Sequence, residues 1–255
     1  MTDRISDSVT NRRSVCSGSP AATILAVLAV CLVGCSGQPS RTSVLTTIAD
    51  IRRLTPEQAD RRYPVRIQAA TIYHDPYLKI LIVQDSTGGS RIELLDQRRD
   101  YSLGDELIIT GVTGRGETLP VVRNAVVKSV KRAPAPAAVR VLPSDLDSTL
   151  QQYRYAEVRG VVVGWNERND GRMLVRFRSA GVPFDAIVLH RSIVDPTNLI
   201  GNSATVRGAI HAEYSVTGKL LGRQILVGGM NDLIVDDRRE APSGVEAGLN
   251  AILFT

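Results

Sequence analysis

From Pro64 onward the chain alternates apolar and polar residues with a period of two. Val65, Ile67 and Ala69 fall on one face and Arg66 and Gln68 on the other, the pattern of a half-buried strand. Asp75-Pro76 ends it. Lys79 to Gln84 predicts a second strand, stopped by the turn-forming run Asp85-Ser86-Thr87-Gly88-Gly89. Arg91 to Leu95, Asp105 to Gly111 and Val121 to Val130 predict a third, fourth and fifth. Ahead of them, Leu45 to Arg62 reads as short helical pieces. Thr55-Pro56-Glu57-Gln58 is a helix start in which Thr55 caps, Pro56 fits the first turn and Gln58 closes a capping box.

The pattern then breaks and returns. Ala133-Pro134-Ala135-Pro136-Ala137 places proline at alternate positions, which prevents helix or strand and reads as a semi-rigid linker. Ser144 opens another short helical segment. Ala156, Val158, Gly160 and Val162 alternate with Glu157 and Arg159 as a new first strand. Met173 to Arg178, Phe184 to His190, Ala204 to Ile210 and Gln224 to Val235 complete a second set of five, with Gly228-Gly229 as a bulge in the last. Gly104 and Gly111 bracket one fourth strand, and Gly201 and Gly208 bracket the other at the same spacing, so the chain carries a two-copy duplication.

Five strands with a loop or helical segment between the third and fourth match the OB-fold, a small Greek-key barrel. Two unrelated β-sandwich modules are the alternative. The first strand of an OB barrel bends, and a glycine at the bend removes a clashing Cβ. Gly160 supplies that glycine in the second unit, where the first has Ala69. The expected fold class is therefore all-β, with two tandem OB-fold-like five-stranded barrels and short helical segments. The first barrel with its leader helix is expected over residues 46–132, the linker over 133–142, the second barrel over 143–237 and a tail over 238–255.

The N-terminus carries a different message. Arg12 and Arg13 precede an apolar run, and the 14 residues from Ala21 to Gly34 are too few for a membrane span of about 20. Leu32-Val33-Gly34-Cys35 resembles the lipobox of bacterial lipoproteins. That resemblance implies cleavage after Gly34, removal of a signal peptide over 1–34, and acylation of Cys35, with a polar tether over 35–45. More than one acyl chain makes such an anchor lasting. Ser36 in place of Asp implies passage to the outer membrane, with the protein facing the periplasm. Cys16 and Cys31 lie in the leader, so no other thiol stays in the mature chain for a disulfide, a metal or a nucleophile.

Charge and chemistry narrow the function by exclusion. The net charge is +5, and the leader takes three basic and two acidic residues with it, leaving +4. That balance permits an acidic partner without demanding one. His74, His190 and His211 share no metal-ligand spacing. Gly114-Arg115-Gly116 lacks the Lys-Ser/Thr of a phosphate loop and reads as a turn. Asp236-Asp237 reads as a solvated pair. No catalytic residue, metal ligand or cofactor is predicted. OB barrels bind on the face of strands two and three, flanked by the loops after strands one and four. Tyr73, Tyr77 and Trp165 sit at or near those loops and are the candidate ligand-binding residues. Eleven aromatic residues in all are few for a single-strand stacking platform, which makes nucleic acid an unfavoured partner.

The order of leader helix, Leu81-Ile82-Val83-Gln84-Asp85, Gly88-Gly89, Gly104-Asp105 to Gly111, proline-alanine linker and Val158-Arg159-Gly160-Val161-Val162 resembles the periplasmic β-rich sensor regions of certain bacterial histidine kinases. The resemblance implies a ligand- or partner-sensing module. The functional expectation is a lipid-anchored, non-catalytic envelope protein that binds a protein partner or a glycan, accessory to a sensing system. A nucleic-acid-binding OB protein outside the cytoplasm is the alternative.

Overall fold

A computed structural model describes residues 43–96, 99–189 and 199–236. The lipobox with Cys35, the tether up to residue 42, His190 and the tail from residue 237 lie outside the described residues.

Two short helices come first. In α1 (Ile48–Arg52) the first backbone amides are taken by Asp85, at the end of the second strand, and Thr87, in the turn after it, at 2.8 and 2.9 Å. In α2 (Pro56–Ala59) Thr55 and Gln58 form the expected capping box. Ile48, Ile51 and Leu54 are buried and close one end of the first core.

The first barrel is built from β1 (Pro64–Asp75), β2 (Ile80–Asp85), β3 (Gly88–Leu94), β4 (Glu106–Gly114) and β5 (Val121–Lys131). They close in the order β1-β2-β3-β5-β4, with β3 parallel to β5 and β4 returning to β1. This is the OB-fold order. Val65, Ile67 and Ala69 point into the core while Arg66 and Gln68 face solvent.

After the irregular stretch Ala133–Ala138, β6 (Val139–Arg140) takes part of the segment expected as linker and pairs with the next strand. Ser144 lies inside a 3₁₀ turn (Pro143–Asp145) rather than capping it. The second barrel repeats the first with β7 (Tyr155–Glu167), β8 (Met173–Ser179), β9 (Val182–Val188), β10 (Ser203–Tyr214) and β11 (Leu220–Val227). Again the third and fifth strands are parallel, and β10 pairs with β7 to close the circuit. The chain is all-β, with two OB-fold-like five-stranded barrels and short helical segments.

One expectation is corrected. Gln224 to Val235 is not one bulged strand: β11 ends at Val227, a turn follows through Gly228-Gly229, and β12 (Leu233–Val235) pairs with the start of β10. Gly160 immediately precedes Val161, where β7 passes from pairing with β10 to pairing with β8. The register shifts between Val162 and Gly164 in β7, and between Thr71 and Tyr73 in β1. A Cβ at Gly160 would sit 3.0 Å from the Phe184 ring, so this glycine admits a bulky core side chain. The duplicated glycine pairs have a shared reason. Gly104 and Gly201 have φ of 91° and 81°, which a side chain disfavours. A Cβ on Gly111 or Gly208 would strike the facing fifth strand.

Candidate functional site

The barrels meet face to face. In β2, Leu81 and Val83 point into their own core, while Ile80 and Ile82 point outward at the second barrel. The second barrel answers with a row across four strands: Ala209 of β10 pairs with Leu226 of β11, Leu226 with Ile187 of β9, and Ile187 with Leu174 of β8. These residues form one apolar cluster with Ile72, Tyr73, Tyr153 and Tyr155. Strands two and three of the first barrel thus spend much of the usual OB ligand face on docking.

Polar contacts fix the docking. Tyr155 donates its backbone N–H to the Gln84 side chain at 2.7 Å. Arg52 of α1 donates to the carbonyls of Gly89 and Gln152, each at 2.9 Å, and to that of Thr149. A Cβ on Gly89 would coincide with the Tyr153 carbonyl, so glycine is what lets the chains approach there. Tyr153 itself has a φ of 61° and donates its N–H to Ile210 of β10 at 2.8 Å.

At one edge of this junction lies a buried ion pair. Arg172, 3 % exposed at its side chain, donates through Nε at 2.9 Å and through Nη2 to Asp75 Oδ2, which is fully buried. Its Nη1 donates to Asp170 at 2.6 Å. Asp75 also accepts from the Leu78 backbone at 2.9 Å and from the Tyr73 hydroxyl at 3.4 Å. Burial, then the Asp75 charge, pushes the Tyr73 phenol well above its ordinary value.

Beside the pair opens a cleft of about 320 Å³. That is the lower end of the range for small-molecule sites. Three of the four loops next to the OB ligand faces supply its walls: Leu78 after β1, Glu117 after β4, and Arg168, Asp170 and Arg172 after β7. Arg91 of β3, and His211 and Glu213 of β10, complete its polar lining with Gln224 of β11. The formally charged lining is balanced, with Arg91, Arg168 and Arg172 against Glu117, Asp170 and Glu213.

His211 stacks on Tyr153 with ring centroids 6.0 Å apart, and its Nδ1 is buried without a hydrogen-bond partner among the described residues. Burial, then the nearby Arg91 charge, lowers its pKa, so the ring is held neutral. Arg91 is half-buried and makes no ion pair among the described residues, and its Nε is buried without a partner.

The predicted aromatic residues separate. Tyr73 lies buried at the junction and lines the cleft. Tyr77 is 75 % exposed, with the Arg172 guanidinium 5.7 Å from its ring centroid. Trp165 packs partly buried against the second barrel's core and is not in the cleft lining. Of the histidines that share no metal-ligand spacing, His74 is half-buried, accepting from the Tyr101 backbone at 3.2 Å, and His211 lines the cleft. Arg115, within the glycine-rich turn, is tied to Glu57 and Asp60 of the leader at 3.1 and 3.2 Å. Asp236 pairs with Arg159 at 2.8 Å. Sequence reasoning missed Arg91, Arg172 and His211 as a group. Their one sequence signal is the apolar run Ile80 to Val83, which lacks alternation because both faces of β2 are covered.

No family model matches this chain, and no curated protein matches it. Among solved structures, a murine DNA-binding protein bound with double-stranded DNA is similar at 12% identity and a TM-score of 0.34, covering 69% of this chain and 98% of that one. The Ifi202 HINa domain in complex with 20 bp dsDNA is similar at 9% identity and a TM-score of 0.32, covering 67% and 94%. A Leishmania major Friedlin chain named for aspartyl-tRNA synthetase gives 10% identity and a TM-score of 0.30, covering 46% of this chain and 24% of that one. Likeness of this degree carries no functional argument.

Proposed function

We propose that this chain is a non-catalytic binding protein of the cell envelope, lipid-anchored through Cys35 at the outer membrane and facing the periplasm. Its docked barrels take an envelope protein or a glycan on the loops around the cleft mouth, as an accessory to a sensing system. The observation that carries this reading is the convergence of three OB loops on one charge-balanced edge. Affinity for a nucleic-acid backbone comes from cations that neutralise phosphates. Here Arg172 is already paired with Asp75 and Asp170, and Arg168 with Asp170. A binding role is also favoured over catalysis because Nδ1 of His211 in the cleft has no hydrogen-bonded carboxylate or nucleophile among the described residues.

Two experiments test this. Cys35→Ala should give a folded chain that no longer fractionates with membranes, and tight membrane association of that variant would remove the anchor. Cross-linking of the anchored protein in envelopes, with a glycan array alongside, should return a reproducible partner. Silence in both, or oligonucleotide binding that weakens steeply with salt, would overturn the partner assignment.

A further inference from the structure

The cleft beneath those loops holds a combination the partner reading does not use. Arg91 is a half-buried guanidinium with no anionic partner among the described residues. Two exposed carboxylates, Glu117 and Glu213, stand on the same lining, and neither has an ion pair among the described residues. Glu213 accepts from Gln224 Nε2 at 2.9 Å. His211 lines the same cleft as all three. Leu78 and Ile80 border this polar group with apolar surface, and Leu78 is 48 % exposed.

Each simple ligand class fails on one of these groups. A dianion gains one guanidinium and meets two carboxylates. A cation gains the carboxylates and meets Arg91. A purely apolar ligand would bury Arg91 without a counter-charge, which is costly. A small molecule bearing one carboxylate and one ammonium close together satisfies both sets at once. Its carboxylate suits the planar fork of Arg91, which binds such groups through two parallel hydrogen bonds. Its ammonium suits Glu117 and Glu213.

We propose that the cleft binds a free α-amino acid: the carboxylate on Arg91, the ammonium toward Glu117 and Glu213, and an aliphatic side chain against Leu78 and Ile80. The neutral His211 ring forms the wall between the two charged ends. This site goes beyond the macromolecular partner and does not depend on one.

The test is calorimetric titration of the full chain with the proteinogenic amino acids, followed by matched analogues of leucine. Leucinamide lacks the carboxylate and 4-methylpentanoate lacks the ammonium. Leucine should bind at least tenfold more tightly than either analogue, and more tightly than serine. Arg91→Gln should reduce leucine affinity at least tenfold and leave leucinamide binding unchanged. Glu117→Gln, on an exposed loop, should weaken leucine and leave 4-methylpentanoate unchanged. Arg178→Gln, outside the cleft lining, should change nothing. If Arg91→Gln lowers the melting temperature, Arg91→Lys keeps the charge without the fork and should weaken leucine by an intermediate factor. No binding by any amino acid, equal binding of leucine and its analogues, or indifference to both Arg91→Gln and Glu117→Gln would overturn the proposal. Envelope cross-linking is measured separately, so loss of this site leaves the partner reading standing, and the reverse also holds.

Discussion

Asp75 of the first barrel and Arg172 of the second, 97 residues apart in sequence, form a buried ion pair at the junction of the two barrels. Both side chains are almost completely withdrawn from water; Asp170 also accepts from the guanidinium, and the Leu78 backbone and the Tyr73 hydroxyl donate to Asp75. Removing one member of such a pair strands the other charge, at a cost of about 3–5 kcal/mol. Arg172→Met should therefore lower unfolding free energy by about that much in urea titrations. The double variant Asp75→Asn/Arg172→Met should recover much of the loss. Additive losses in the double variant would show that the two residues do not interact.

Gly89 of β3 lies directly against the Tyr153 backbone. Gly89→Ala puts a Cβ where the Tyr153 carbonyl lies, so one of the two backbones must shift. The cost should sit at or above the top of the about 1–3 kcal/mol typical of overpacking. Gly164→Ala is the control, since its added Cβ meets nothing nearer than Arg176 Nη1 at 3.9 Å, and it should change stability by less than about 0.5 kcal/mol. Small-angle scattering should show a larger radius of gyration for Gly89→Ala and none for Gly164→Ala.

Arg52 fastens the leader helix to the Thr149–Gln152 segment and to Gly89. Arg52→Met keeps much of the stem and deletes three charge-assisted bonds. A loss of about 1.5–3 kcal/mol is expected if one of them carries most of the energy. Amide exchange over residues 148–153 should accelerate before that of the strand cores. Uniform acceleration across both barrels would mean that the strap and the cores open together.

His211 gives the fold a pH dependence. Its folded pKa lies below the ordinary 6.5, through burial and then Arg91. The unfolded chain therefore takes up a proton first as pH falls. The stability this group contributes is complete above about 6.5 and is lost as pH drops below it toward the lowered folded value. His74 is shifted in the same direction by burial and adds to the effect. His211→Gln should flatten the fall in melting temperature between about pH 7 and pH 5. An unchanged slope would place the pH sensitivity elsewhere.

Local physics in the sequence determined a large part of this protein. The alternation of Val65, Ile67 and Ala69 with Arg66 and Gln68 marks β1 because one face of that segment meets a core and the other meets water. The capping box at Thr55 and Gln58 and the glycine pairs at 104/111 and 201/208 are equally local, since each answers to its own backbone geometry or to one neighbouring strand. The fold class followed from counting such segments. The cleft was decided only by tertiary structure. Tyr73, Arg91, Arg172 and His211 lie on four strands or loops of two barrels, and no spacing along the chain relates them. They meet because Ile80 and Ile82 of one barrel and Ile187 and Leu226 of the other cover one another, and burial of apolar surface has no direction to read from sequence. Breaks in the alternation, Ile80 to Val83 and Ile225 to Val227, show that a second face is buried. They do not say against what, and that choice placed Asp75 beside Arg172 and left Arg91 facing an open cleft.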